Sequence, residues 1–330
     1  MLSLTQVEPE AWNGLLEQVQ LNDVYALQEY VAASALLDPG RPLLLHLRND
    51  GGHVILACIV REVDGGRADV VTPYGYGGPL AAGAEPPIER FWDEYERWCA
   101  ENDIVTSFFR FHPLYANHRD PGPRMRVEPL AGTIAWRLDQ GDPAERMHRH
   151  HRRLVRKAEG LETTRSVAPE RLDRFVGLYE ETMDRREAAD FYYFPREYWK
   201  ALETTLRDRV VLFEARGEAA LLCLTGPGWL HYHLGASSEE GRKGGASHYL
   251  FLEAARWAAA SGYTRFHLGG GVGGRADSLF EFKRRFDPEG VLPAAIGKAV
   301  HDEDAYRELA GADAGLDGYF PAYRASTVHA

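Results

Sequence analysis

With 45% hydrophobic and 11% aromatic side chains in 330 residues, the sequence has material for one large or two ordinary cores, which excludes a disordered chain. Its 38 basic residues are outnumbered by 49 acidic ones, a formal charge of −11, which excludes a basic nucleic-acid coat and confines any polyanion site to a local patch. Cys58, Cys99 and Cys223 form neither a disulfide framework nor zinc spacing, MLSLTQVEPEAW lacks the pattern of a signal peptide, and no apolar run approaches the roughly 20 residues of a membrane span. The expectation is a soluble, cytoplasmic protein without integral membrane contact.

In chain order, residues 8–37 read as two short helices. Leu43–Leu47 and His53–Val63 read as strands about an Asn49-Asp50-Gly51-Gly52 hairpin turn, and Ala68–Thr72 as a third strand. A rigid aromatic loop, Thr72–Pro79, follows. Pro87–Asn102 is an amphipathic helix, Ile104–Phe111 a strand, and Met125–Leu130 and Thr133–Leu138 two more. The polar break Asp139–Pro143 is the expected boundary between domains 1–140 and 141–330. Residues 143–160 read as one helix dense in arginine and histidine, with Met147, Leu154, Val155 and Ala158 facing inward. The second half continues with a strand Leu161–Val167 and helices from Pro169 and Pro195. A hairpin, Val210–Ala215 with Ala219–Thr225, precedes a strand opening at Trp229. Next come a basic turn Gly241–Ala246, a helix His248–Ser261, a strand Thr264–Leu268, a glycine turn and a helix carrying Leu279, Phe282 and Phe286 on one face. Val291–Val300 reads as one last strand, Asp302–Ala310 as a helix, and Gly311–Ala330 as a loose tail.

Both halves therefore repeat one element order: helices, three sequential strands, a helix, a strand, and terminal strands. That is the order of a GNAT domain, so the expected fold is α/β with two tandem GNAT domains, mixed sheets flanked by helices. Four segments carry a more specific likeness: TPYGYGGP at Thr72–Pro79, FFRFHPL at Phe108–Leu114, the basic helix from His151 to Thr163, and the block from His231 to Phe286. On these the chain resembles the FemABX group of double-GNAT aminoacyltransferases and their GNAT-like relatives. The resemblance implies transfer of an amino acid from aminoacyl-tRNA, as co-substrate, to an amine of a peptide or cell-wall precursor, with no tightly bound cofactor. It also implies a role in transfer for the pair Phe282-Lys283. The long helical arm of the family's larger members is missing.

Acyl transfer to an amine needs a free lone pair at an ester carbonyl, stabilisation of the oxyanion that develops, and a way out for the amine proton. Lys283 is the candidate for the second task, against a reading as one of three surface cations in Lys283–Arg285. Gly269, Gly270 and Gly271 open a run that fits G-x-G-x-x-G formally, but with antiparallel elements before it and no acidic strand end after it. The expected role is a tight turn that admits substrate, or a purely structural turn. Arg242, Lys243, Gly245 and Ser247 lie where a GNAT domain that uses acyl-CoA holds a pyrophosphate; as donor phosphate-binding residues they suit CoA, a tRNA end or a nucleotide diphosphate alike. On the strand at Trp229, His231 and His233 share one face and Tyr232 takes the other. His233 is a candidate proton relay or a packed core histidine, and Tyr232 a substrate contact. H-x-H without a third spaced ligand gives no metal site. Tyr74, Tyr76, Arg110 and His112 form the candidate binding surface of the first half, Arg110 as a clamp for carboxylate or phosphate. Arg185, with the aromatic run Phe191–Phe194, is a candidate wall for the acceptor. Two other functions stay open: an acyl-CoA-dependent N-acyltransferase, and a non-catalytic binding protein for peptides or cell-wall precursors.

Overall fold

The computed structural model describes residues 3–327. The chain divides into two compact units: the residues up to Leu130 with those from Ala294 onward, and Ala131–Pro293.

The first unit's sheet has the order Thr5–Gln6, Arg41–Arg48, Gly52–Val63, Arg67–Val71, Ile104–Arg110, Ala295–Val300, Arg126–Pro129, with Leu80–Gly83 paired to Gly52–Val63 beside it. Asn49 closes the predicted hairpin, its Oδ1 accepting from the Gly51 and Gly52 N–H groups at 2.9 and 2.7 Å. Arg67–Val71 and Ile104–Arg110 are the parallel pair. The Ile88–Glu101 helix joins them and buries Phe91, Tyr95 and Trp98 against Phe109 and its neighbours.

The second sheet has the order Val291–Leu292, Thr133–Arg137, Arg265–Gly269, Trp229–Ser237, Ala219–Thr225, Val210–Ala215, Thr163–Val167. Its parallel pair is joined by the Ala246–Ala260 helix, whose Ala254, Ala255 and Ala258 let helix and sheet approach closely while Leu250 and Phe251 fill the core. Parallel pairing covers only Trp229↔Arg265, Leu230↔Phe266 and His231↔His267. Beyond His231 the two strands part, and Tyr232–Ser237 pair with Ala219–Thr225 alone. Leu222 there faces Leu234 and Cys223 faces Tyr232, so His233 is the extra residue of a bulge.

Five expectations are corrected. Thr133–Arg137 belongs to the second sheet and Ala295–Val300 to the first, so the division falls at 130/131 and 293/294 rather than between residues 140 and 141. The stretch 291–300 is two strands in different sheets, broken at Pro293, which cannot donate to a ladder. Residues 143–160 form a 3-10 turn, Pro143–Arg146, and a separate helix, Arg149–Lys157; Met147 between them is extended and buried, and His148 Nδ1 accepts from the His150 N–H at 3.3 Å to start the helix anew. The basic turn contains a short helix, Glu239–Gly244, capped by Ser238 Oγ on the Gly241 N–H at 3.0 Å; its acids lie in the first turn and its cations in the last, as the helix dipole favours. Part of the tail beyond Gly311 is packed rather than loose. Phe320 is buried against Tyr306 and Phe108, and Arg324 Nε donates to Asp69 Oδ2 at 2.6 Å, a buried carboxylate that also holds Arg61 Nε at 2.7 Å. Residues 328–330 lie outside the described residues.

Candidate functional site

The site in the second unit grows from the end of the Arg265–Gly269 strand. Gly269 turns the chain at φ +72°, Val272–Gly274 makes a 3-10 turn, and Asp277 starts the Ser278–Arg284 helix. Asp277 holds both pieces, its Oδ1 accepting from the Phe280 N–H at 2.9 Å and its Oδ2 from the Val272 N–H at 3.0 Å. A Cβ on Gly271 would lie 2.1 Å from the Arg275 carbonyl oxygen and 2.3 Å from Asp277 Oδ1. A Cβ on Gly270 would lie 2.8 Å from the Gly132 carbonyl oxygen. The space cleared by these glycines is therefore filled by the protein's own backbone and by the capping carboxylate, which favours the structural reading of the run. Asp277→Ala removes both bonds and should cost about 1–2 kcal/mol, read as a lower urea midpoint at unchanged slope.

Lys283 stands on the helix so capped. It is 6% exposed, its Nζ donates to the Gly270 carbonyl oxygen at 2.7 Å, and the Tyr232 ring centroid lies 5.3 Å away. Among the described residues it forms no ion pair. Burial pulls its amine down from the ordinary lysine value to about 7, against the pull of Asp277 in the other direction. Near neutral pH it is thus divided between ammonium and free amine, which a surface lysine is not. Tyr232 reaches it because it lies where the two parallel strands part; its ring packs on Phe251 at 4.9 Å, on the face opposite His231 and His233.

Phe282 points elsewhere, into an aromatic cluster. Its ring lies 5.3 Å from His151, 5.1 Å from His248, 5.7 Å from Phe251 and 5.2 Å from Phe286. The His151 Nε2–H donates to the Phe282 carbonyl oxygen at 2.9 Å, tying the basic helix to the lysine-bearing one. Burial holds His151 at about 3 and His248 at about 4, so both are neutral packing groups. In the sequence His151 stands among the arginines and histidines of 143–160, outside the inward set Met147, Leu154, Val155 and Ala158. The signal that finds it is spacing, since 151, 154, 155 and 158 fall on one helical stripe. Asp277 was also missed, although an Asp directly before an apolar helical run is a start signal.

The remaining candidates of this unit lie in other surroundings. His233 Nε2 is 2.6 Å from the Tyr198 hydroxyl, and burial first, then His231, hold it at about 3. It stays uncharged at neutral pH and takes up a second ring proton poorly, which argues for positioning over relay. His231 Nδ1 lies 3.2 Å from His267 Nδ1. The Arg185 guanidinium donates to the Ser237 carbonyl at the far end of the same strand, and Phe194 is buried on Tyr198 and Tyr179. Arg242 and Lys243 are exposed on their short helix, and Lys243 pairs with Glu239. Gly245 is buried at φ +91°, and a Cβ there would meet the Leu154 carbonyl oxygen at 2.6 Å, so this glycine admits the basic helix rather than a ligand. Ser247 follows in the first turn of the Ala246–Ala260 helix, half-buried.

In the first unit, Tyr76 and His112 come together with Tyr25, Tyr115 and Asp23. The Tyr76 ring is 5.8 Å from His112 and 5.6 Å from Tyr25, and His112 Nε2 is 3.4 Å from Asp23 Oδ1. The Tyr74 carbonyl accepts from the Tyr30 hydroxyl at 2.8 Å. Arg110 stands apart from this group, its guanidinium over the Phe108 ring at 5.0 Å.

Residues 144–284, less than half of the chain, match the acetyltransferase (GNAT) domain family. Across most of its length the chain also resembles several solved structures. FemX superposes with a TM-score of 0.65 at 13% identity, over 93% of this chain and 99% of that one. L-PGS from Bacillus licheniformis does so at 0.54 and 16%, over 90% and 93%, and a tandem GNAT protein from the clavulanic acid biosynthesis pathway at 0.53 and 11%, over 92% and 99%. No curated protein matches the chain. The chain is thus a GNAT-fold protein with two such units in tandem. By fold it stands with the FemX-like double GNAT proteins, as the sequence resemblance implied. Among the described residues no helix is long and apolar enough to cross a membrane.

Proposed function

We propose that this protein is an acyltransferase that moves an aminoacyl group from aminoacyl-tRNA, in the cytoplasm, to an amine of a peptide or cell-wall precursor. The observation that carries the reading is Lys283, a buried amine without an ion-pair partner among the described residues, its pKa drawn down to about 7 where two parallel strands part beside Tyr232. The acceptor nitrogen attacks the ester carbonyl, a C–N bond forms, the C–O bond to the tRNA ribose breaks, and the proton lost by the amine goes to the departing oxygen. The ammonium form of Lys283 stabilises the oxyanion between these events. The tRNA is supported by the basic helix, on which Arg149, Arg153 and Arg156 are exposed and form no ion pair among the described residues, in a chain of net charge −11.

A second reading, an acyl-CoA-dependent N-acyltransferase, is favoured by the acetyltransferase family match. Against it stands Gly245, whose open side is occupied by Leu154 at the place a pyrophosphate would take. The two are separated by following label from a pool of charged tRNAs and from acetyl-CoA side by side, at one stated salt concentration because RNA affinity is salt-dependent. The expected result is loss of label from tRNA faster than spontaneous hydrolysis and dependent on Lys283. Turnover of acetyl-CoA without any effect on tRNA would replace the reading with the second. Inertness towards both donors, with peptide or precursor still bound, would leave a non-catalytic binding protein.

A further inference from the structure

Arg110, at the end of the Ile104–Arg110 strand, is a cation that forms no ion pair among the described residues. Its Nη1 is buried and lacks a hydrogen-bond partner, and no other atom of the guanidinium forms a hydrogen bond or ion pair among the described residues. The residue as a whole is half-buried. The groups that act on it electrostatically are Asp38, Tyr74, Arg61 and Tyr319. Asp38 is already bound to Arg61, Oδ1 to Nη1 at 2.8 Å, and Arg61 is a second cation nearby. An arginine cannot relieve such a position by losing its proton, so burial without a partner is a standing cost to the fold.

The backbone under this side chain is held unusually firmly. The Arg110 N–H donates to Thr72 Oγ1 at 3.0 Å, and its carbonyl accepts from the Gly77 N–H at 2.7 Å. Asn117 locks the same loop, donating to the Gly77 and Pro79 carbonyl oxygens at 2.8 and 3.0 Å and accepting from the His112 N–H at 2.7 Å. A cation that the fold destabilises and yet positions on a rigid support is what an anion-binding group requires.

We propose that Arg110 anchors an oxyanion subsite within the first unit, taking a carboxylate or phosphate group of a ligand in its guanidinium fork over Phe108. The subsite stands independently of which donor the second unit uses. A planar fork with free N–H groups matches either oxyanion bidentately, and the ring beneath leaves one face of the fork fixed.

The test follows thermal and urea unfolding of the full chain in sodium phosphate and in sodium acetate, each against sodium chloride of equal ionic strength. The two salts stand for the two sources of the oxyanion. Wild type should be stabilised by one of them beyond the chloride control. In Arg110→Met the apparent affinity for that anion should fall roughly 10- to 100-fold, and Arg110→Lys should retain part of it. Without added anion, Arg110→Met should unfold at the same urea concentration as wild type or a higher one, because an unpaired cation has been removed. A wild type indifferent to both anions, an anion response that Arg110→Met keeps, or an Arg110→Met protein that unfolds earlier or does not fold would each overturn the subsite. The last outcome would make Arg110 a structural group.

Discussion

Replacing Lys283 with methionine should give a protein that is more stable at neutral pH and deficient in transfer. The two effects share one cause. In the folded chain the amine titrates at about 7, and in the unfolded chain near the ordinary value of about 10.4. Between these pH values the unfolded state binds the additional proton, so stability of the wild type rises with pH across that window. Below about pH 7 the penalty is complete, and above about 10.4 it is gone. Methionine keeps the volume and removes the charge. The lost bond to the Gly270 carbonyl offsets about 1 kcal/mol, and the net gain should be on the order of 3 kcal/mol at pH 7, fading towards pH 10. Transfer should fall roughly 100- to 1,000-fold, the usual effect of removing one group that stabilises an oxyanion. An Lys283→Met protein that is less stable than wild type at pH 7, or one that still transfers at the wild-type rate, would contradict the role assigned to this residue.

Gly271→Ala should be the most damaging of the small substitutions at the site. The added methyl carbon would meet the Arg275 carbonyl oxygen at 2.1 Å and Asp277 Oδ1 at 2.3 Å. The first is backbone and cannot swing aside. The second can move only if the Asp277 carboxylate gives up the bond from the Phe280 N–H to Oδ1 and disturbs that from the Val272 N–H to Oδ2. Overpacking and a lost cap together should cost about 2–4 kcal/mol, seen in the urea midpoint, and transfer should fall as well because the helix that carries Lys283 shifts. A glycine present to admit substrate would behave differently: Gly271→Ala would then raise KM at unchanged stability. The measured pair, urea midpoint and KM, decides between the two roles.

The element order was legible because hydrophobic periodicity and turn residues report local structure. The Asn49–Gly52 hairpin and the Ile88–Glu101 helix fall where expected, within a residue or two. What local pattern does not report is strand exchange. Thr133–Arg137 and Ala295–Val300 are strands at either end of the second half, and nothing in their composition says which sheet each joins. The polar break at 139–143 marks a surface loop, whereas the crossings lie in short apolar stretches beside Gly132 and Pro293. Lys283 was found through its likeness to a family pair. Its burial was not visible in a Lys-Arg-Arg run, because exposure depends on Tyr232 and Gly270, which lie 51 and 13 positions earlier. The phosphate-loop expectation at Arg242–Ser247 met a short helix because the acids before it and the cations within it satisfy both helix ends, a balance that a search for glycine and cation alone overlooks. Arg110 showed as a candidate by residue type; only the packed structure reveals that its Nη1 is buried without a hydrogen-bond partner among the described residues.

The most direct test of the account is an NMR titration of the Lys283 side chain in protein with 13C-labelled lysine, the resonance assigned by its loss in Lys283→Met. The expected midpoint is near 7, with transfer from charged tRNA declining over the same range as the ammonium form is lost. A midpoint near the ordinary lysine value of about 10.4 would show an exposed or paired amine and contradict the site described for the second unit.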